Sequence, residues 1–122
     1  MVNIKHIAKK PSPSDGERIY VDRLWADGAF TEFVKISEWN QDVAPSYELW
    51  RFNSDPANWQ TFLDMYRKEL TMPVKQRALQ QLLEKVQNGK VTLVYGNGDA
   101  SHNVAAVLRD LLAEMSSTRK AA

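Results

Sequence analysis

Between Arg18 and Trp25 the side chains divide by alternation, Ile19, Val21, Arg23 and Trp25 on one side and Arg18, Tyr20, Asp22 and Leu24 on the other. That period, with β-branched and aromatic residues, predicts a strand through about Asp22, followed by a turn at Ala26-Asp27-Gly28. Asn3 to Ala8 predicts a shorter strand, closed by the turn-rich stretch Lys10 to Gly16. Ala29 to Ala44 keeps neither period and is expected to hold a short helix with irregular or extended chain. Ser46 is placed to cap a short helix from Tyr47 to Phe52. Asp55-Pro56 is a second helix start, and behind it Trp59, Phe62, Leu63, Tyr66 and Leu70 recur at helical spacing. Thr71-Met72-Pro73 breaks that helix. The next runs from Val74 to about Gln87 on a stripe of Leu79, Leu82, Leu83 and Val86, with Asn88-Gly89 expected as a left-handed C-terminal cap. Val91 to Tyr95 is an apolar run expected as a strand covered on both faces. About His102 to Met115 is an amphipathic helix burying Val104, Leu108, Leu111, Leu112 and Met115.

Strand, helices, strand, helix predicts an α/β fold: a single compact domain over 1–116 with a small, mostly parallel sheet flanked by helices, and a frayed tail over 117–122. The 122 residues suffice for one core. No apolar run is long enough to span a membrane, and the first residues lack the apolar stretch of a secretory signal. With no cysteine there is no thiolate chemistry, and a cytoplasmic location fits. Sixteen basic against fifteen acidic side chains leave a net charge of +1, too balanced to favour nucleic acid as a partner.

In parallel sheets ligands bind outside the carboxyl ends of the strands. Those ends are Asp22 to Gly28 and Tyr95 to Asn103, which open on one crevice if the two strands lie close. Gly96-Asn97-Gly98-Asp99-Ala100-Ser101 is a near miss to a dinucleotide fingerprint, but too little chain follows it for a ribose-binding strand, and no Gly-Lys-Ser/Thr makes it a P-loop. A glycine turn entering a helix exposes backbone N–H groups at the positive end of the helix dipole, where an anion is favoured. The bland alternative is that Asp99 or Ser101 supplies that anion as a cap. His102, oriented by Asp99, is a candidate proton-handling group or a structural residue. A metal site built from His102, Asp99 and Asp22 is a weak alternative. Arg23 could clamp a carboxylate or phosphate beside the stacking face of Trp25, or pair with an aspartate inside the fold.

RIYVDRLWADG, EWNQDVAPSYEL, DPANWQTFLDMYRKEL and VTLVYGNGDASHNVAAVL, in that order, resemble the domain of unknown function 488 family, YeaO-like group, from about Asn3 to Leu112. The resemblance implies a compact bacterial or archaeal α/β protein, presumed cytoplasmic, with no established activity and no cofactor to carry over. Matching polar positions fall at the chosen strand ends. The candidate ligand-contacting residues are therefore Asp22, Arg23, Trp25, Ser46, Tyr95, Gly98 and Asn103, with His102 and Asp99 as the candidate catalytic pair. The ligand in view is a small anionic or nucleotide-like molecule; the alternative is a non-catalytic interaction module whose polar crevice is filled by its own side chains. Where the family usually has Pro-Arg-Gly after Leu-Trp, this chain has Ala26-Asp27-Gly28, so an arginine becomes an acid.

Overall fold

A computed structural model describes residues 2–23, 35–51 and 56–121, for 56 and 118–121 the backbone alone. It contains a four-stranded, wholly parallel sheet in the order β1-β4-β2-β3: β1 Val2–His6, β2 Glu17–Tyr20, β3 Glu38–Trp39 and β4 Val91–Tyr95. The helices are α1 Tyr47–Trp50, α2 Trp59–Glu69, α3 Pro73–Asn88 and α4 Val104–Ala121. The expected α/β class is therefore what the chain adopts.

Strand β4 lies between β1 and β2, pairing Ile4 and Ile19 with Leu93 from either side. All five of its residues are buried, as a central parallel strand requires. Alternation sends Val91, Leu93 and Tyr95 into the main core, with Ile19 and Val21 from the β2 side. Val94 and Tyr20 face the other way, into a smaller cluster with Ile7. The main core is closed by Phe62 and Tyr66 of α2, Leu79, Leu82, Leu83 and Val86 of α3, and Val104, Leu108 and Leu112 of α4. Each such buried apolar side chain contributes about 1.5–3 kcal/mol, so these stripes hold the helices on the sheet. On the second face the link from β1 to β2 crosses β4, where Thr92 Oγ1 donates to the Asp15 carbonyl at 2.8 Å.

Several expectations are corrected. In the stretch from Ala29 to Ala44, β3 supplies the expected extended chain; it is two residues long, too short to show a period, and is fixed by pairing Ile19 with Glu38 and Tyr20 with Trp39. Residues 29–34, where the expected short helix could fall, lie outside the described residues. Helix α2 starts at Trp59 after a 3-10 turn over Pro56–Asn58, without a side-chain cap from Asn58. The expected cap, Asp55, lies outside the described residues, as does the turn at Ala26-Asp27-Gly28. Gly89 is not left-handed: with φ −178° and ψ −173° it is extended. The last turn of α3 is tied instead by Asn88 Nδ2 donating to the Glu84 carbonyl at 2.8 Å. Helix α4 starts at Val104, two residues later than expected, because Asn103 Oδ1 accepts from the Ala106 N–H at 2.7 Å and caps it.

Gly89 and Gly98 should respond oppositely to alanine. A Cβ on Gly89 meets nothing within 4 Å, whereas Gly98 has φ +97° and its Cβ would stand 2.1 Å from the His102 carbonyl oxygen. Gly98→Ala is expected to cost about 2 kcal/mol, and Gly89→Ala to be neutral or stabilising by up to about 1 kcal/mol, read from urea midpoints.

Candidate functional site

Because β2 and β4 are neighbours, their carboxyl ends meet. The Asp22 carboxylate, 1% exposed, accepts from the Gly96 N–H at 2.7 Å and the Asn97 N–H at 3.0 Å, both through Oδ2. An internal carboxylate thus takes the first two N–H groups of the glycine turn. The indole N–H of Trp50 helps favour its charge, yet Trp50 Nε1 and Asp22 Oδ1 are both buried without a hydrogen-bond partner among the described residues. Burial is the largest influence and outweighs the donors, so the Asp22 carboxyl is raised above its ordinary range.

Further along the turn, Asp99 Oδ1 accepts from the N–H groups of Ser101 at 2.9 Å and His102 at 2.8 Å. The same carboxylate holds His102 Nδ1 at 3.0 and 3.1 Å. The bond with His102, then the two N–H groups, lower the Asp99 carboxyl below its ordinary range. His102 lies edge-on to Trp59, with ring centroids 5.1 Å apart, and Nε2 has no hydrogen-bond partner among the described residues. Asn103 ties the corner shut, donating from Nδ2 to the Asp99 carbonyl while it caps α4. Gly98 lets the backbone pass the His102 carbonyl. Tyr95 packs edge-on against His6 at 5.2 Å, and burial, followed by the Asp99 charge, raises its hydroxyl above the ordinary range.

Arg23 does something else. Its Nε donates to the Pro45 carbonyl at 2.8 Å, and Nη2 donates to the carbonyls of Gln41 at 3.0 Å and Ala44 at 3.3 Å. It thereby binds a segment that has no helix or strand of its own, and among the described residues it forms no ion pair with an aspartate. Lys75 Nζ reaches the carbonyls of Asp42 and Ala44 at 3.1 and 2.8 Å. The Tyr66 hydroxyl donates to the Val43 carbonyl, and Glu69 accepts from the Ser46 N–H at 2.7 Å. Buried irregular chain must have its polar groups satisfied, and these side chains satisfy them. Burial is the largest influence on Lys75 and lowers its ammonium below the ordinary range, with the Arg23 charge acting in the same sense. Ser46 also caps α1, its Oγ accepting from the Leu49 N–H at 3.4 Å. Tyr66→Phe should cost about 1–2 kcal/mol in thermal or urea unfolding, the price of a buried carbonyl left without its donor.

Asp22, Gly98, Asp99, His102 and Asn103 thus converge on one corner, while Arg23 and Ser46 belong to the neighbouring segment and Trp25 lies outside the described residues. The parts of Trp50, Trp59, Glu69 and Lys75 are not visible in sequence: Trp59 reads there as one member of a core stripe, and no local pattern marks the other three. No group of three or more His, Cys, Asp or Glu side chains that could hold a metal ion occurs among the described residues. None of the described helices is long and apolar enough to cross a membrane.

The chain is 30% identical over 112 residues to the uncharacterized protein YeaO of Escherichia coli (strain K12), covering 91% of this chain and 96% of that one. It is 32% identical over 113 residues to the uncharacterized protein Rv3073c of Mycobacterium tuberculosis (strain ATCC 25618 / H37Rv), covering 91% and 92%. The uncharacterized protein Mb3100c of Mycobacterium bovis (strain ATCC BAA-935 / AF2122/97) matches to the same extent. No solved structure gives a significant match. A family model described as the inactive DUF488-N3 subclade matches residues 1–122. With a family match along its full length and YeaO as a relative at 30% identity, this chain belongs to the DUF488 family, in that inactive DUF488-N3 subclade.

Proposed function

We propose that the protein is a non-catalytic module that acts through contacts with other proteins, its polar crevice closed by its own side chains. One observation carries this reading: the Asp22 carboxylate sits on the Gly96 and Asn97 N–H groups, where an anionic ligand would otherwise dock. Arg23, the residue best suited to hold a ligand's charge, is committed to backbone carbonyls, and the family description names an inactive branch. A cysteine-free chain with balanced charge fits the cytoplasm and offers no long-range attraction to nucleic acid.

A second reading, binding of a small anion, is favoured by the Asp99–His102 pair. Asp99 fixes the ring through Nδ1 and leaves Nε2 to donate or accept at the crevice rim.

A thermal-shift panel of phosphate, sulfate, nucleotides, short carboxylates and divalent metals separates the two. A ligand at a hundred times its dissociation constant adds about 2.7 kcal/mol, several degrees in a domain of this size. The expected result is no shift. A shift of that size that disappears in His102→Gln would overturn the first reading in favour of the second and identify the ligand class.

A further inference from the structure

Two Asn-Gly steps occur in the chain, Asn88-Gly89 and Asn97-Gly98, and the fold holds them differently. At such a step the glycine nitrogen can attack the asparagine side-chain amide, because no Cβ on the glycine crowds the approach. Asn88 is the more exposed of the two, so exposure alone would favour it. It is, however, the last residue of α3, and its Nδ2 donates to the Glu84 carbonyl at 2.8 Å. The amide is thus drawn back along the helix, and reaction there requires the last turn to open. Asn97 belongs to no helix or strand. Its N–H is held by Asp22 Oδ2 at 3.0 Å, but its side-chain amide and the Gly98 N–H have no hydrogen-bond partner among the described residues. Neither reacting group has to give up a bond first. Asp15-Gly16, open in principle to the same ring closure, is buried and tied to Lys5 and Arg18.

We propose that Asn97-Gly98 is a modification site, at which the folded protein spontaneously deamidates and forms isoaspartate. The Gly98 nitrogen gives its proton to hydroxide and attacks Asn97 Cγ. The Cγ–Nδ2 bond then breaks, and ammonia leaves with a proton returned by water. A second water opens the resulting succinimide. Addition at Cγ leaves aspartate, and addition at the main-chain carbonyl leaves isoaspartate. Either product adds a carboxylate to a turn that already holds Asp22 and Asp99. Isoaspartate also lengthens the main chain by one methylene immediately before Gly98, whose backbone passes the His102 carbonyl with no room for a Cβ. The turn therefore shifts off Asp22, and the corner is loosened irreversibly. This inference uses the geometry of the corner and not the non-catalytic reading, so the two stand or fall separately.

Ageing of the full wild-type chain at mildly alkaline pH, folded and in urea, tests it by tryptic peptide mass spectrometry with fragmentation that separates aspartate from isoaspartate. Trypsin places the two steps on different peptides, Val86–Lys90 and Val91–Arg109. In urea both should deamidate at similar rates. Folding should slow Asn88 by about tenfold, for the bond and the helical turn it must break, and leave Asn97 close to its rate in urea. The isoaspartate form, resolved from the parent by anion exchange, should unfold at a lower urea midpoint than the parent. Protection of Asn97 by folding as strong as that of Asn88 would overturn the site, because both would then react only through the unfolded chain. An isoaspartate form as stable as the parent would overturn the loosening of the corner.

Discussion

Arg18→Met is expected to cost about 3 kcal/mol of folding stability at pH 7, measured by urea unfolding. Arg18 Nη1 stands 2.7 Å from Asp15 Oδ2, with the two side chains 4% and 8% exposed. Removing one member of a buried pair leaves the other charge poorly compensated, which costs about 3–5 kcal/mol. The low end applies because Asp15 keeps Lys5 Nζ at 3.0 Å and the Ser12 N–H at 3.0 Å. Methionine preserves much of the volume, so the loss reports charge rather than a cavity.

The pH dependence distinguishes these causes. Burial by itself would raise the Asp15 carboxyl, but the bonds from Lys5, the Ser12 N–H and Arg18 together outweigh it and hold the group below its ordinary 3.8. An acid held more weakly protonated in the fold than in the unfolded chain contributes stability that is full above pH 3.8. That contribution is lost as pH falls through the lower folded value. The gap between wild type and Arg18→Met should therefore narrow as pH drops below 3.8. A gap independent of pH would assign the role of Arg18 to packing instead.

The strongest periods in the chain are also the elements easiest to read from it. Val91 to Tyr95 is a strand with the expected bounds because a central parallel strand is apolar throughout and is bounded here by Gly89 and Gly96. Leucine spacing marks α3 because a helix on a sheet must bury one stripe. Weak local signals mislead. Asn88-Gly89 suits several turns, and which one forms depends on where β4 must begin. The meeting of Asp22 with the Gly96 turn is legible from topology alone, since adjacent parallel strands end on the same side. Side-chain direction there is not. Asp22 and Arg23 are consecutive and point to different partners, and a change of one residue in where the strand ends would exchange them. The segment from Gln41 to Ser46 is the least legible part, because its order comes from Arg23, Tyr66, Glu69 and Lys75, each distant in sequence.

Asp22→Ala is expected to cost about 2–4 kcal/mol, because the Gly96 and Asn97 N–H groups lose their acceptor. Asp22→Asn keeps an acceptor oxygen without the buried charge and should cost about 1 kcal/mol or less at pH 7. Burial raises the Asp22 carboxyl above its ordinary 3.8 despite those donors, so the fold binds this proton more tightly than the unfolded chain does. The resulting penalty is full above the folded value and absent below 3.8. Wild type should accordingly gain stability relative to Asp22→Asn as pH falls through the folded value towards 3.8. Formate carries the same anionic group as the lost side chain. It should raise the unfolding midpoint of Asp22→Ala and leave wild type unmoved, because in wild type the two N–H groups already hold a carboxylate. A wild-type midpoint that rises with formate as much as the variant's would mean that Asp22 does not fill the cradle. In that case the crevice is open to an external anion, and the small-ligand reading built on Asp99 and His102 takes precedence.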